Sequence, residues 1–173
     1  MAIFVTLFRI IHIFAAAFWA GGAFFLLAVL LPTVRDAGPD GGKFMQRLAL
    51  SGRLSRTFAI ASGITIVSGA LIFYPITGNL NMDYLRGPNG IVLTLGSIFG
   101  LLAFLHGMFI TTPISRRSGA LAKQMTARQG PPEPEHLKEA QALGAKLGEA
   151  ALHLAILIAL ALLGMAAAQT IAF

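Results

Sequence analysis

Four stretches of this chain run most of the width of a bilayer with almost no charge, and they constrain its fold more than any motif does. They cover residues 3–31, 57–73, 91–113 and 147–171. A helix needs roughly 20 apolar residues to cross about 30 Å of hydrocarbon, and each stretch exceeds or approaches that length. Proline and glycine mark nearly every boundary, at Pro32, Tyr74-Pro75, Arg86-Gly87-Pro88-Asn89-Gly90 and Thr112-Pro113. Such residues punctuate helices. The expectation is all-α: a four-transmembrane-helix bundle, one membrane domain over residues 1–173. Composition agrees, with 56% apolar and 12% charged residues, against about 25% charged in soluble proteins.

The last helix is expected to start before its apolar part. After Gly130-Pro131-Pro132-Glu133-Pro134-Glu135 helical spacing resumes, and Pro134 suits a first helical turn with acids near its positive end. The helix is therefore read as 134–171, entering the bilayer near Lys146. The first apolar stretch begins at Ala2 without a basic leader and is too long for a signal-peptide core, which predicts a retained helix.

Charge orients the bundle. Arg35, Lys43, Arg47, Arg53 and Arg56 lie between spans one and two; Arg116, Arg117, Lys123, Arg128, Lys138 and Lys146 lie between spans three and four. The loop between spans two and three offers only Arg86. Basic loops stay in the cytoplasm, so both termini are expected on the outer, periplasmic side of a bacterial inner membrane. The net charge of +6 comes from these two loops and is no nucleic-acid signature. Contact of the second basic loop with anionic lipid is one reading; enforcement of topology is the plainer one. Without cysteine there is no disulfide, thiolate metal site, iron–sulfur cluster or covalently attached haem.

Three of the four histidines fall within spans: His12, His106 and His153. Ionisable groups are costly there and mark functional sites, and neutral imidazole is a common axial ligand of haem iron. The plain alternative is an interhelical hydrogen bond with no chemistry. At 1.5 Å per residue, His153 lies about 10 Å above Lys146 and His106 about 10 Å above Pro113. On antiparallel helices these two share a level, whereas His12, about 28 Å from Leu31, belongs near the outer face. Small residues flank the pair: Gly96, Gly100, Ala103 and Gly107 on span three, Ala151, Ala155, Ala159 and Gly164 on span four. They make room for a flat macrocycle or for close helix packing. Glu149, one turn before His153, is a candidate to orient it or take its proton. Arg9 shares a face with His12 and is a candidate to hold a haem propionate, or to reach lipid phosphate. Trp19 is a candidate pocket wall or packing residue.

The run His12-Ile13-Phe14-Ala15-Ala16-Ala17-Phe18-Trp19-Ala20-Gly21-Gly22 resembles the first helix of CopD-like and HemJ-like bacterial membrane proteins. Leu54-Ser55-Arg56, Ser68-Gly69-Ala70-Leu71 and Leu105-His106-Gly107 extend the similarity. The resemblance implies haem-dependent protoporphyrinogen oxidation on the HemJ side and copper uptake or resistance on the CopD side, with His12 placed directly on the metal. The HemJ pattern has a lysine opening helix three, where this chain reads Gly90-Ile91-Val92-Leu93-Thr94. Copper favours soft ligands, but Met1, Met45, Met82, Met108, Met125 and Met165 form no motif. The function expected is a b-type haem protein (His106 and His153 as ligands) moving electrons, with quinone, a larger complex or a homo-oligomer as partner. Copper transport, a non-catalytic subunit and the HemJ-like protoporphyrinogen oxidase that the resemblance implies are the alternatives. Transport would need a polar path, and Ser62, Thr65, Ser68 and Thr94 supply only a thin one.

Overall fold

The computed structural model describes residues 2–127 and 133–170, and among these no strand occurs. Four helices are long and apolar enough to cross a membrane: α1 (Ala2–Asp36), α3 (Arg53–Ile76), α5 (Pro88–Ala127) and α6 (Pro134–Ala167). Two shorter helices join them, α2 (Gly38–Ser51) and α4 (Met82–Arg86). The expected turn at Gly130-Pro131-Pro132 and Arg128 beside it lie outside the described residues, whereas the last helix ends at Ala167 and passes into a turn, short of the expected 171.

The sequence reading ends spans one and three at Pro32 and Pro113, and the structure corrects both boundaries. Proline lacks an N–H, and its ring collides with the carbonyl one turn back. The chain answers with one π-helical turn just upstream of each proline, Leu26–Leu30 in α1 and Gly107–Thr111 in α5. There the N–H of Leu31 donates to the Leu26 carbonyl and that of Thr112 to the Gly107 carbonyl. The wider coil makes room for the ring, and the helix continues. The Thr112 hydroxyl also donates to the Gly107 carbonyl at 2.8 Å.

The first basic loop is not a loop. Gly38 (φ 55°) and Gly52 (φ 60°) supply the left-handed turns that bound α2. Gly41, Met45, Leu48 and Ala49 form a stripe at helical spacing that turns inward, against the ends of α1 and α5. Gly41 sits so close to the Val34 carbonyl that a β-carbon has no room. Leu121 and Ala122 of α5 are buried in this extramembrane cap. Arg117 ties α5 to α6 through Glu139 at 2.7 Å.

The spanning helices pair within each half, α1 against α3 and α5 against α6. The second pair is held by small residues: a β-carbon on Gly164 would lie 2.7 Å from the Gly96 Cα. Close backbone approach of this kind replaces the hydrophobic drive that lipid does not provide. The two halves meet in a core of Trp19, Ala20 and Ala23 from α1, Ala61 from α3, Ala103 from α5, and Leu154 and Ile158 from α6.

Candidate functional site

The pairing within halves decides which polar side chains can meet. His106 is the last residue before the π turn of α5, and His153 faces it from α6. Their ring centroids are 6.1 Å apart, with planes at 89°. His106 is half-buried, and its Nδ1 is enclosed without a hydrogen-bond partner. His153 is exposed on the outer surface of the bundle. Beside His106 runs a groove of about 370 Å³, lined by Leu102, Leu105, Phe109, Ile110 and Leu157. It is apolar and opens on the lipid-facing side.

The separation has a chemical meaning. Two imidazoles brought together from neighbouring helices are the donor type that holds haem iron. The donor set stops at two: among the described residues no group of three or more His, Asp or Glu converges.

His12 belongs to a different node. Its Nδ1 lies 2.9 Å from the Thr65 carbonyl of α3, which makes that nitrogen the N–H donor, and 3.4 Å from the Ser68 hydroxyl. Gly69 leaves the imidazole its place, since a β-carbon there would stand 2.9 Å from His12 Cε1. Nothing in the sequence singles out the Thr65 carbonyl, because every residue owns one. The small residue at Gly69, one turn after Thr65, was the available signal.

The other sequence candidates are distributed around these nodes. Trp19 is 6% exposed and fills the core between the halves, so it packs the bundle. About 10 Å of helix separates it from His12, while its core neighbours Ala103 and Leu154 adjoin His106 and His153. A packed layer thus divides the two nodes. Arg9 is exposed, one turn from His12 and far from the His106–His153 pair. Glu149 is exposed on the same outward stripe of α6 as His153, and no hydrogen bond joins them. Ser62, Thr65 and Ser68 are buried, yet their hydroxyls donate to the Ala59, Ala61 and Ile64 carbonyls of their own helix. That satisfies them locally, whereas the hydroxyl of Thr94, the fourth of the expected polar residues, is enclosed without a partner.

No family model, curated protein or solved structure matches this chain.

Proposed function

We propose that the chain is a membrane-embedded b-type haem protein, in which His106 and His153 would hold the haem, and that it passes electrons to or from a quinone or a larger redox complex. The 6.1 Å separation of the two rings inside a membrane-spanning pair carries this reading. His106 and His153 would supply two imidazoles to the iron, and among the described residues no group of three or more His, Asp or Glu converges around another metal. Bound haem would supply a one-electron couple within the bilayer.

The chain's own residues have definable tasks in this reading. His106 and His153 hold the group from two helices. Leu102, Phe109 and Leu157 give it an apolar wall and keep water away. The tight Gly96–Gly164 contact fixes the spacing of α5 and α6 on one side of the histidines. The basic end faces the cytoplasm of a bacterial inner membrane, with both termini outside.

A second reading has one observation in its favour. A metal-bound imidazole usually donates its other N–H to a carbonyl or carboxylate, and His12 does so to Thr65. His12 would then be a ligand through Nε2, as the resemblance to HemJ-like and CopD-like proteins implies, with Arg9 holding an anionic group nearby.

A reduced-minus-oxidised absorption spectrum of the purified protein decides. Sharp α and β bands are expected, lost in His106→Ala and in His153→Ala and kept in His12→Ala. Bands lost in His12→Ala and kept in His153→Ala would favour the second reading. Copper without porphyrin in metal analysis would replace both.

A further inference from the structure

We propose that the outward face of α2 docks on anionic lipid headgroups of the bilayer that holds the protein. The inner stripe of α2 is used up in packing, which leaves Asp40, Lys43, Phe44, Arg47 and Ser51 on the other face at helical spacing, all exposed. Asp40, Lys43, Phe44 and Arg47 line a shallow hollow of about 290 Å³. A face turned only to water has no use for a phenyl ring at its centre, yet Phe44 is 49% exposed between two cations.

Charge favours an anionic occupant. Asp40 engages Lys43 at 2.9 Å, with both side chains largely exposed, and surface pairs of this kind hold weakly. Among the described residues Arg47 has no acidic partner. Arg53 and Arg56 on the first turn of α3, and Arg116 and Lys123 on α5, are exposed at the same end of the molecule.

Position and chemistry select lipid over a soluble anion. One residue separates α2 from α1 and one from α3, so it is tethered at both ends to helices that span the bilayer. A cationic helix face carrying an aromatic ring is the composition of interfacial helices, in which cations meet phosphate and the ring enters the acyl boundary. Inorganic phosphate would satisfy Lys43 and Arg47 but would leave Phe44 in water.

The chain has no cysteine, so Phe44→Cys gives a single attachment point for an environment-sensitive fluorophore. The full chain is placed in nanodiscs of phosphatidylcholine alone, or with roughly a third phosphatidylglycerol, a proportion that gives the strong surface potential cations sense. The expected result is a blue shift and at least two-fold weaker quenching by neutral acrylamide in the anionic discs. Salt should reverse both changes. The response should vanish with Lys43→Gln and Arg47→Gln together and survive Lys43→Arg with Arg47→Lys. The same label at Gln124 should not respond. Equal signals in the two lipids, or a response kept by the neutral double variant, overturn the proposal. So does an equal response to inorganic phosphate in phosphatidylcholine discs, which would assign the face to soluble anions. No haem is needed for any readout, so the result is independent of the function proposed above.

Discussion

His12 and His106 are the same residue type in the same solvent, and their surroundings give them opposite characters. His12 is oriented by a carbonyl and packed over a glycine, so its ring has one place to be. Gly69→Ala puts a β-carbon against that ring, and overpacking of this kind costs about 1–3 kcal/mol. A clear drop in thermal midpoint in detergent is expected, with Gly63→Ala, which meets nothing within 4 Å, as the neutral control. An unchanged midpoint in Gly69→Ala would mean that the His12–Thr65 contact does not hold α1 to α3. The level match of His106 and His153 was legible in the sequence, because helical rise and antiparallel order fix depth without any knowledge of side-chain packing. The partner of His12 was not, since it is a backbone carbonyl. The packing role of Trp19 was also open, because an indole on a small-residue face suits a pocket and a core equally.

At the scale of the element, proline misleads. Pro32 and Pro113 read as terminators because a proline inside an α-helix costs about 3 kcal/mol or more, but a π turn relieves the clash and the helices run on. Pro113→Ala removes the need for that turn. If Gly107–Thr111 then closes to an α-helix, about 100° of rotation per residue shifts the phase between His106 and Leu121–Ala122. Either the histidine pair or the cap beneath it must lose its packing. The expected outcome is faster proteolysis of the α2 segment or, if haem is bound as proposed, a changed haem spectrum; the absence of both would show the π turn to be independent of its proline. The small-residue seam allows a simpler test. Gly164→Val drives side-chain atoms into the Gly96 backbone and should separate α5 from α6. Loss of monodisperse protein by size-exclusion chromatography is expected, while Gly144→Ala, in open space, should behave as wild type. The seam glycines were visible in the sequence, and the structure shows Gly96 and Gly164 meeting, whereas a β-carbon at Gly100 would meet only the Ala161 and Met165 side chains, at 3.8 Å. Helix α2 was hidden because Gly38, Pro39, Gly41 and Gly42 disguise its start. Glycine at 41 is there for closeness to Val34, not for flexibility.

On the scale of the whole molecule, the orientation proposed from the loop charges can be tested by access. Met82→Cys at the start of α4 and Lys123→Cys on α5 are both exposed positions at opposite ends of the bundle. In intact cells an impermeant thiol reagent should label Met82→Cys and spare Lys123→Cys; the reverse pattern would invert the topology. Each half of the molecule carries its own polar node, His12 with Thr65 in the α1–α3 pair and His106 with His153 in the α5–α6 pair. During synthesis, α1 and α3 can therefore enter the membrane and satisfy their half-buried imidazole before α5 has left the ribosome. The second hairpin repeats the event with partners of its own, and only the layer around Trp19 remains to be closed. A chain built this way is two insertions followed by one docking step. Halves made as separate polypeptides, divided in the short turn after Thr77, should find each other in the same bilayer.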